Sequence, residues 1–350
     1  MSGMIQPEKV QIETQRLILR KINVSEAEAV YRKWAENPAV LCFLPPYYNE
    51  DTDTVNNWIN ESSQSFREAA PDSYELFVME LKIGGDIIGI IELTEIDHET
   101  RSAETGYHLC KKWWGNGYAA EALRELFRYS LEIKCLNRVW AVYDPRNPNS
   151  GKVMQKAGML YEGTLRQCKI RNGVLVDRIY YSMLKDDWET EKEISYYNAL
   201  PCVFKDFIDV PELSDGVIHL VCTSKTPGND ERKWVPAYRF AICKGSEKIG
   251  EIDLRIGYTD GLYYGGQIGY GIDEKHRGNG YAGRACQLLK PVADAHGMMK
   301  LLITTNHTNS ASMRVCEKLS CRLVRTARLP EWHDLYKEGR RFSNIYEWSL

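Results

Sequence analysis

Two short stretches of this 350-residue chain carry residues suited to holding an anion. Lys112-Trp-Trp-Gly115-Asn-Gly117 and Lys275-His-Arg-Gly278-Asn-Gly280 each set a pair of glycines just ahead of a segment with helical apolar spacing. Without a Cβ, the backbone can come close to a ligand. The first helical turn leaves N–H groups unpaired, and its dipole adds partial positive charge. Together these features make a phosphate site.

Three readings of the loops compete. Gly115-x-Gly117-x-x-Ala120 and Gly278-x-Gly280-x-x-Gly283 fit a dinucleotide fingerprint, and Asp144 ends the following strand as a ribose-binding acid would. Against this, the bulky, polar stretches Lys111–Trp114 and Asp273–Arg277 precede the glycines, and the segments before them read as antiparallel meanders. The second reading is a structural turn. The third is a pyrophosphate cradle for coenzyme A. The G-x-x-x-x-G-K-[ST] signature of nucleotide hydrolysis is absent.

The loops are one part of an internal repeat. Gly115–Ala119 recurs as Gly278–Ala282, an offset of 163 (278 − 115). Thr105-Gly106-Tyr107 aligns with Ile268-Gly269-Tyr270, and Asn147-Pro-Asn-Ser150 with Asn309-Ser-Ala-Ser312. Val153–Lys156 matches Val315–Lys318. The order is the same in both copies, so the halves share one fold, with domains expected at 1–190 and 203–350. The polar stretch Glu189–Pro201 between them reads as a solvated helix or linker.

Periodicity supplies the elements that position the loops. Arg16–Arg20, Leu76–Leu81, Ile87–Leu93, Thr105–Leu109 and Arg138–Tyr143 read as strands. Ala119–Ile133 puts Ala119, Leu123, Leu126, Phe127 and Leu131 on one helical face. A capping box at Asn23–Glu26 opens an early helix, a second helix surrounds Trp58, and Gly151–Lys156 is a short helix. Asn172-Gly173 turns a terminal hairpin. The second half has little room for the early helix pair.

Composition excludes several classes. Net charge is −3, with Lys+Arg 45 against Asp+Glu 48, which gives no drive toward nucleic acid or acidic membrane. No signal-peptide pattern or membrane-length apolar run is present. The ten cysteines form no CxxC pair and no zinc-ligand spacing. Reduced core thiols, the cytosol and no metal are expected.

At the glycine loops the sequence resembles the GNAT superfamily of N-acetyltransferases, whose motif is Q/R-x-x-G-x-G/A at a helix start. Lys112 and Lys275 depart from its first position. The first half is most similar to the branch acetylating N-termini of ribosomal proteins, through Glu13–Arg20, Trp114–Ala122, Lys156–Met159 and Tyr161–Arg166. The resemblance implies an α/β (α+β) protein of two tandem GNAT folds. Each has a mixed, largely antiparallel sheet flanked by helices, with a splayed strand pair. It implies acetyl-CoA as cofactor and an amine-bearing small molecule or peptide N-terminus as partner. The first cofactor site would comprise Leu109, Lys111, Lys112, Trp114, Gly115, Asn116, Gly117, Tyr118, Ala119, Asn147 and Ser150. The second would comprise Ile272, Lys275, Arg277, Gly278, Asn279, Gly280, Tyr281, Ala282, Asn309 and Ser312.

Acetyl transfer needs a base for the amine and a proton donor for the departing thiolate. Glu104 is the first candidate base, with Glu92 and His108 behind it; an ordinary strand carboxylate is the competing reading. Where many relatives place an acidic Tyr, this chain has Met154 and Cys316, so Ser150 is the best donor, against a plain helix-capping role. No cysteine sits beside a recognisable base, so transfer is expected to be direct. In the second half Gln267 replaces Glu104, and Ser320 replaces Gly158. Asp253 or Glu251 would then serve as base, or that half binds coenzyme A with weak catalysis, or it is scaffold, an internal pair replacing a homodimer. The segments Phe43–Tyr48 and Pro330–Tyr336 are candidate covers of the two acceptor sites. His333 and Asp334 are open to acid–base or hairpin-edge roles. A coenzyme A-sensing module with vestigial catalysis is the non-enzymatic alternative.

Overall fold

The computed structural model describes residues 10–22, 26, 40, 74–171, 173–210 and 212–350. The early helices near Asn23 and Trp58 and the segment Phe43–Tyr48 lie outside them. The chain divides into two compact units, Met1–Glu189 and Thr190–Leu350.

The first unit is built on one eight-stranded sheet. Its strands are β1 (Gln11–Glu13), β2 (Leu17–Arg20), β3 (Glu75–Leu81), β4 (Ile87–Asp97), β5 (Ser102–Leu109), β6 (Arg138–Tyr143), β7 (Leu160–Arg171) and β8 (Val174–Leu184). Their order in the sheet is β1-β2-β3-β4-β5-β6-β8-β7. Among the described strands only β5 and β6 run parallel. Helix α1 (Tyr118–Arg128) buries Ala119, Ala122, Leu123, Leu126 and Phe127, the face the apolar spacing marks. These pack in one core with Phe77, Met79, Ile91 and Leu93 of the sheet. The single helix expected to run on to Ile133 instead changes to a π-helical turn at Tyr129–Ile133. The wider turn buries Tyr129, Ser130 and Leu131 in succession. It also brings the Tyr129 hydroxyl to the buried Glu75 carboxylate at 3.3 Å, where Lys134 neutralises the charge at 2.9 Å. Helix α2 (Pro148–Lys156) follows β6.

Helix α3 (Lys185–Asn198) occupies the charged stretch read as solvated. Within the second unit that stretch is engaged: Glu193 takes Arg325 at 2.9 Å and the Tyr263 hydroxyl at 2.6 Å.

The second unit repeats the strand order as two sheets. One runs β13-β12-β11-β10-β9 and the other β14-β16-β15. The strands are β9 (Leu213–Ser214), β10 (His219–Thr226), β11 (Ala237–Lys244), β12 (Glu247–Arg255), β13 (Ile268–Ile272), β14 (Lys300–Asn306), β15 (Arg322–Arg328) and β16 (Phe342–Ser349). Helices α4 (Asp260–Gly265), α5 (Tyr281–Leu288), α6 (Lys290–Ala295), α7 (Ser310–Lys318) and α8 (Asp334–Lys337) complete it. Between β10 and β11 lie residues 227–236, where the first unit has 21–74 between β2 and β3.

Each glycine-loop helix is latched to its first hairpin by an ion pair, with the polarity reversed between units. In the first, Glu121 on α1 accepts from the Arg16 Nε at 2.6 Å and from the Arg16 N–H at 2.8 Å. In the second, the matching Arg284 on α5 donates to Asp215 at 2.8 Å.

Gln267, at the position of Glu104, is fully buried and joins the two sheets of its unit. Its Oε1 accepts from the Leu302 N–H at 2.6 Å, and its Nε2 donates to the Gly257 carbonyl at 3.1 Å. Gln267→Leu would strand the buried Leu302 N–H and remove the bond to the part-buried Gly257 carbonyl; it is expected to destabilise the second unit by about 2 kcal/mol, read as a shifted denaturant midpoint.

Candidate active site

The two glycine loops share one geometry. A 3₁₀ turn, Lys111–Trp113 or Glu274–His276, leads into each. Gly115 and Gly117 have φ of +81°, and Gly278 and Gly280 have +83° and +78°. Those left-handed values require glycine. A Cβ would meet nothing within 4 Å at Gly115, Gly278 or Gly280. The surroundings are therefore open, as an anion would need. No side chain caps α1 or α5, so their first-turn N–H groups are not held by their own N-cap residues. This cradle fits a pyrophosphate.

Of the side chains assigned to the cradle, several hold the loop itself. Asn116 Nδ2 donates to the Trp113 and Trp114 carbonyls at 3.2 and 3.1 Å. Asn279 does the same to His276 and Arg277 at 3.0 and 3.2 Å. Trp114 Nε1 donates to the Leu109 carbonyl at 2.9 Å, and Arg277 Nε donates to the matching Ile272 carbonyl at 3.0 Å. Two unlike side chains thus close the same turn. Lys112 lies 4.7 Å from the Trp113 ring, whereas Lys275 pairs with Glu247 at 2.5 Å. Tyr118 meets Trp113 edge-on. Ala119, Tyr281 and Ala282 are buried, so they offer a ligand chiefly their backbone N–H. Lys111 is exposed in the turn.

Beside each loop the sheet opens. Strands β5 and β6 pair only at Ser102↔Arg138, Ala103↔Val139 and Glu104↔Trp140. Beyond Glu104 they part. In the second unit β13 and β14 belong to separate sheets. This is the splayed pair that the resemblance implies. The wedge is crossed by tyrosines the sequence reading used only as repeat markers: Tyr107 donates to the Ser150 carbonyl at 2.8 Å, and Tyr270 to Ser312 Oγ at 3.3 Å. Burial raises both phenol pKa values, so both stay protonated. Asn147 and Asn309 are the N-caps of α2 and α7. Ser150 therefore is not the cap; its Oγ accepts from Asn147 Nδ2 at 3.0 Å, which leaves its own proton available to donate. Met154 and Cys316 are buried in the cores.

The carboxylates divide by strand register. Glu104 stands at the last paired rung. Burial, with repulsion from Glu95, raises its pKa to about 7. Glu92 lies opposite Gly106, and a Cβ there would sit 2.9 Å from its Oε1. Burial raises its pKa against a 2.6 Å hydrogen bond from Tyr74. His108 is pushed by burial down to about 3, too weak a base for an amine. In the second unit Asp253 lies opposite Gly269, so it holds the position of Glu92, not of Glu104. It is raised by burial and pairs with Arg255 at 2.9 Å. Glu251 is exposed and lowered by its bond to Lys248. Both His333 nitrogens are occupied: Leu335 N–H donates to Nδ1 at 3.2 Å, and Nε2 lies 3.1 Å from the Gly261 carbonyl. His333 is a clamp for its loop, and Asp334 pairs with Lys337 at 3.1 Å.

A family model for the acetyltransferase (GNAT) domain matches residues 16–160 and 216–322. The uncharacterized N-acetyltransferase p20 of Bacillus licheniformis is 29% identical over 175 residues, which are 50% of this chain and 96% of that protein. The [ribosomal protein uS5]-alanine N-acetyltransferase of Escherichia coli is 24% identical over 51% of this chain and 93% of its own. A crystal structure of a GNAT-family acetyltransferase from Bacillus anthracis aligns at 25% identity over 50% of this chain and 99% of that one, with a TM-score of 0.45. The chain belongs to the GNAT acetyltransferase family, in two copies of the domain. It is an N-acetyltransferase that uses acetyl-CoA. Among the described residues no helix is long and apolar enough to cross a membrane, and no group of side chains is arranged to hold a metal.

Isothermal titration with acetyl-CoA tests the two cradles. Two binding sites are expected in the full chain, with Gly117→Trp and Gly280→Trp each removing one.

Proposed function

We propose that the first unit transfers an acetyl group directly to the primary amine of a peptide N-terminus or small molecule, with Glu104 as general base and Ser150 as proton donor. The observation that carries this is the Glu104 carboxyl, raised to about 7 at the apex of the wedge. A base tuned there is half ionised near neutrality and can take a proton from an ammonium, directly or through water. Acetyl-CoA supplies the activated acyl group. Glu92 adds a second carboxylate on the same rung system, and Glu95 a third nearby, so this floor favours an amine over an acid. The N–H edge of β5 past Glu104 is positioned to polarise a carbonyl oxygen. The amine nitrogen bonds to the acyl carbon as the carbon–sulfur bond breaks. One amine proton leaves to Glu104, the Ser150 hydroxyl protonates the sulfur, and the proton held by Glu104 returns through water to Ser150, so both groups end as they began.

Glu104→Gln is expected to lower kcat on a peptide or polyamine acceptor by about 10²–10⁴-fold with acetyl-CoA affinity unchanged. Unchanged turnover would remove Glu104 from the base role.

The pH dependence follows from the same carboxyl. Its active form is ionised, so kcat/KM of the wild type rises with pH and levels above about 7. Stability runs the other way. The folded state holds this proton more tightly than the unfolded chain, so the stabilisation is present below the ordinary carboxylate range and fades as pH rises through about 7. Glu104→Gln should therefore raise Tm relative to wild type at pH 8.

A further inference from the structure

One register rung differs between the units in a way that changes what each can recognise. In the first it reads Leu76↔Glu92↔Gly106, and in the second Arg239↔Asp253↔Gly269. The following rung position, Thr94 opposite Glu104, becomes Arg255 beside Gln267. A buried leucine and a threonine have been replaced by two arginines flanking one aspartate, and the second carboxylate has become an amide.

The exchange sits under open space. Only residues 227–236 link β10 to β11, and the face they leave forms a cleft of about 1790 Å³. Trp234, Arg239, Asp253, Arg255, Tyr258 and Trp332 are among its lining residues. Arg255 is committed: it pairs with Asp253 and donates to the Gly266 carbonyl at 2.9 Å. Asp260 accepts from Asn198 at 2.7 Å, and Asp334 is paired with Lys337. Arg239 is exposed and has neither a salt bridge nor a side-chain hydrogen bond among the described residues. Side chains directly opposite on neighbouring strands stand about 5 Å apart at Cβ. The cleft floor therefore presents a guanidinium in the field of Asp253 and Glu251 but ion-paired and hydrogen-bonded to neither, with the exposed indoles of Trp234 and Trp332 among its walls.

We infer that the second unit's cleft is an acceptor site for a zwitterion of the α-amino acid class, its carboxylate on Arg239 and its amine facing Asp253. This rests on the reading of the chain as an amine acetyltransferase and gives the two units opposite selectivity. The first, floored by Glu92 and Glu104, takes an amine without a neighbouring anion. The second requires one. A guanidinium matches a carboxylate by paired, charge-assisted hydrogen bonds, which a neutral amide cannot reproduce.

The test uses the full chain carrying Gly117→Trp and Glu104→Gln, so that the first unit transfers no acetyl group, and its residual amine binding is subtracted as the part that Arg239→Gln leaves unchanged. The proteinogenic amino acids and their C-terminal amides are titrated by calorimetry without acetyl-CoA, and acetyl transfer to each is then measured. At least one free acid should bind ten-fold or more tighter than its amide. Arg239→Gln should erase that preference while leaving amide binding unchanged. Equal affinity for acid and amide, equal weakening of both by Arg239→Gln, or no binding by any member of the panel would overturn the proposal. Acid-selective, Arg239-dependent binding in a chain that neither binds nor consumes acetyl-CoA would uphold the cleft and bring down the acetyltransferase reading of this unit instead.

Discussion

Both units depend on a strand pair that must separate. In the first, backbone pairing between β5 and β6 holds for three residues and stops at Glu104. Every feature of the site follows from where that pairing ends. The free edge of β5 is what a thioester can lie along. Glu104 is half-buried because it occupies the apex, and its proton affinity rises for that reason. Tyr107 spans the opening to α2 and fixes its width. In the second unit one backbone bond remains at the apex, Gln267 N–H to the Leu302 carbonyl at 2.8 Å, and the Gln267 side chain makes the return bond from the Leu302 N–H. The position that holds a carboxylate at the apex in one copy holds a structural amide in the other.

The loss of the long β2–β3 connection has a comparable reach. Where the first unit places Leu76 in a buried apolar cluster, the second has the exposed Arg239 at the equivalent position. Uncovering a sheet face removes the need for apolar side chains there and admits charge. Lining the new opening requires a different wall, and the loop before α8 supplies it, tied down by His333.

Much of this was legible in the sequence. The repeat, the glycine loops and most strands follow from spacing, because backbone conformation restricts residue type at a positive φ and alternation exposes a sheet face. Glu104 is singled out in the sequence by its position before the loop, and the structure puts it at the last paired rung of β5 and β6. The role of Tyr107 was not, because its partner is a carbonyl 43 residues away and local pattern does not encode such a bond. That Gln267 is an amide, and so no base, is plain from the sequence; its structural use between the two sheets needed the geometry. Asp253 was placed by register: sequence offset matches Glu104 to Gln267, and only strand pairing shows Asp253 standing where Glu92 does. The Asn116 and Asn279 side chains, assigned to the cofactor, turned out to staple the loops that would hold it.

The reversed latch bears on how such a chain folds at all. Two copies of one fold on a single polypeptide can exchange equivalent parts while both are incomplete. If the first hairpin docked on the wrong helix, Arg16 would face Arg284; if the other did so, Asp215 would face Glu121. Each wrong pairing sets like charges together and leaves none to offset them. Each right one makes an ion pair. Inverting one contact between the duplicates thus sorts four interchangeable pieces into two correct sets, an address label written in charge rather than in shape.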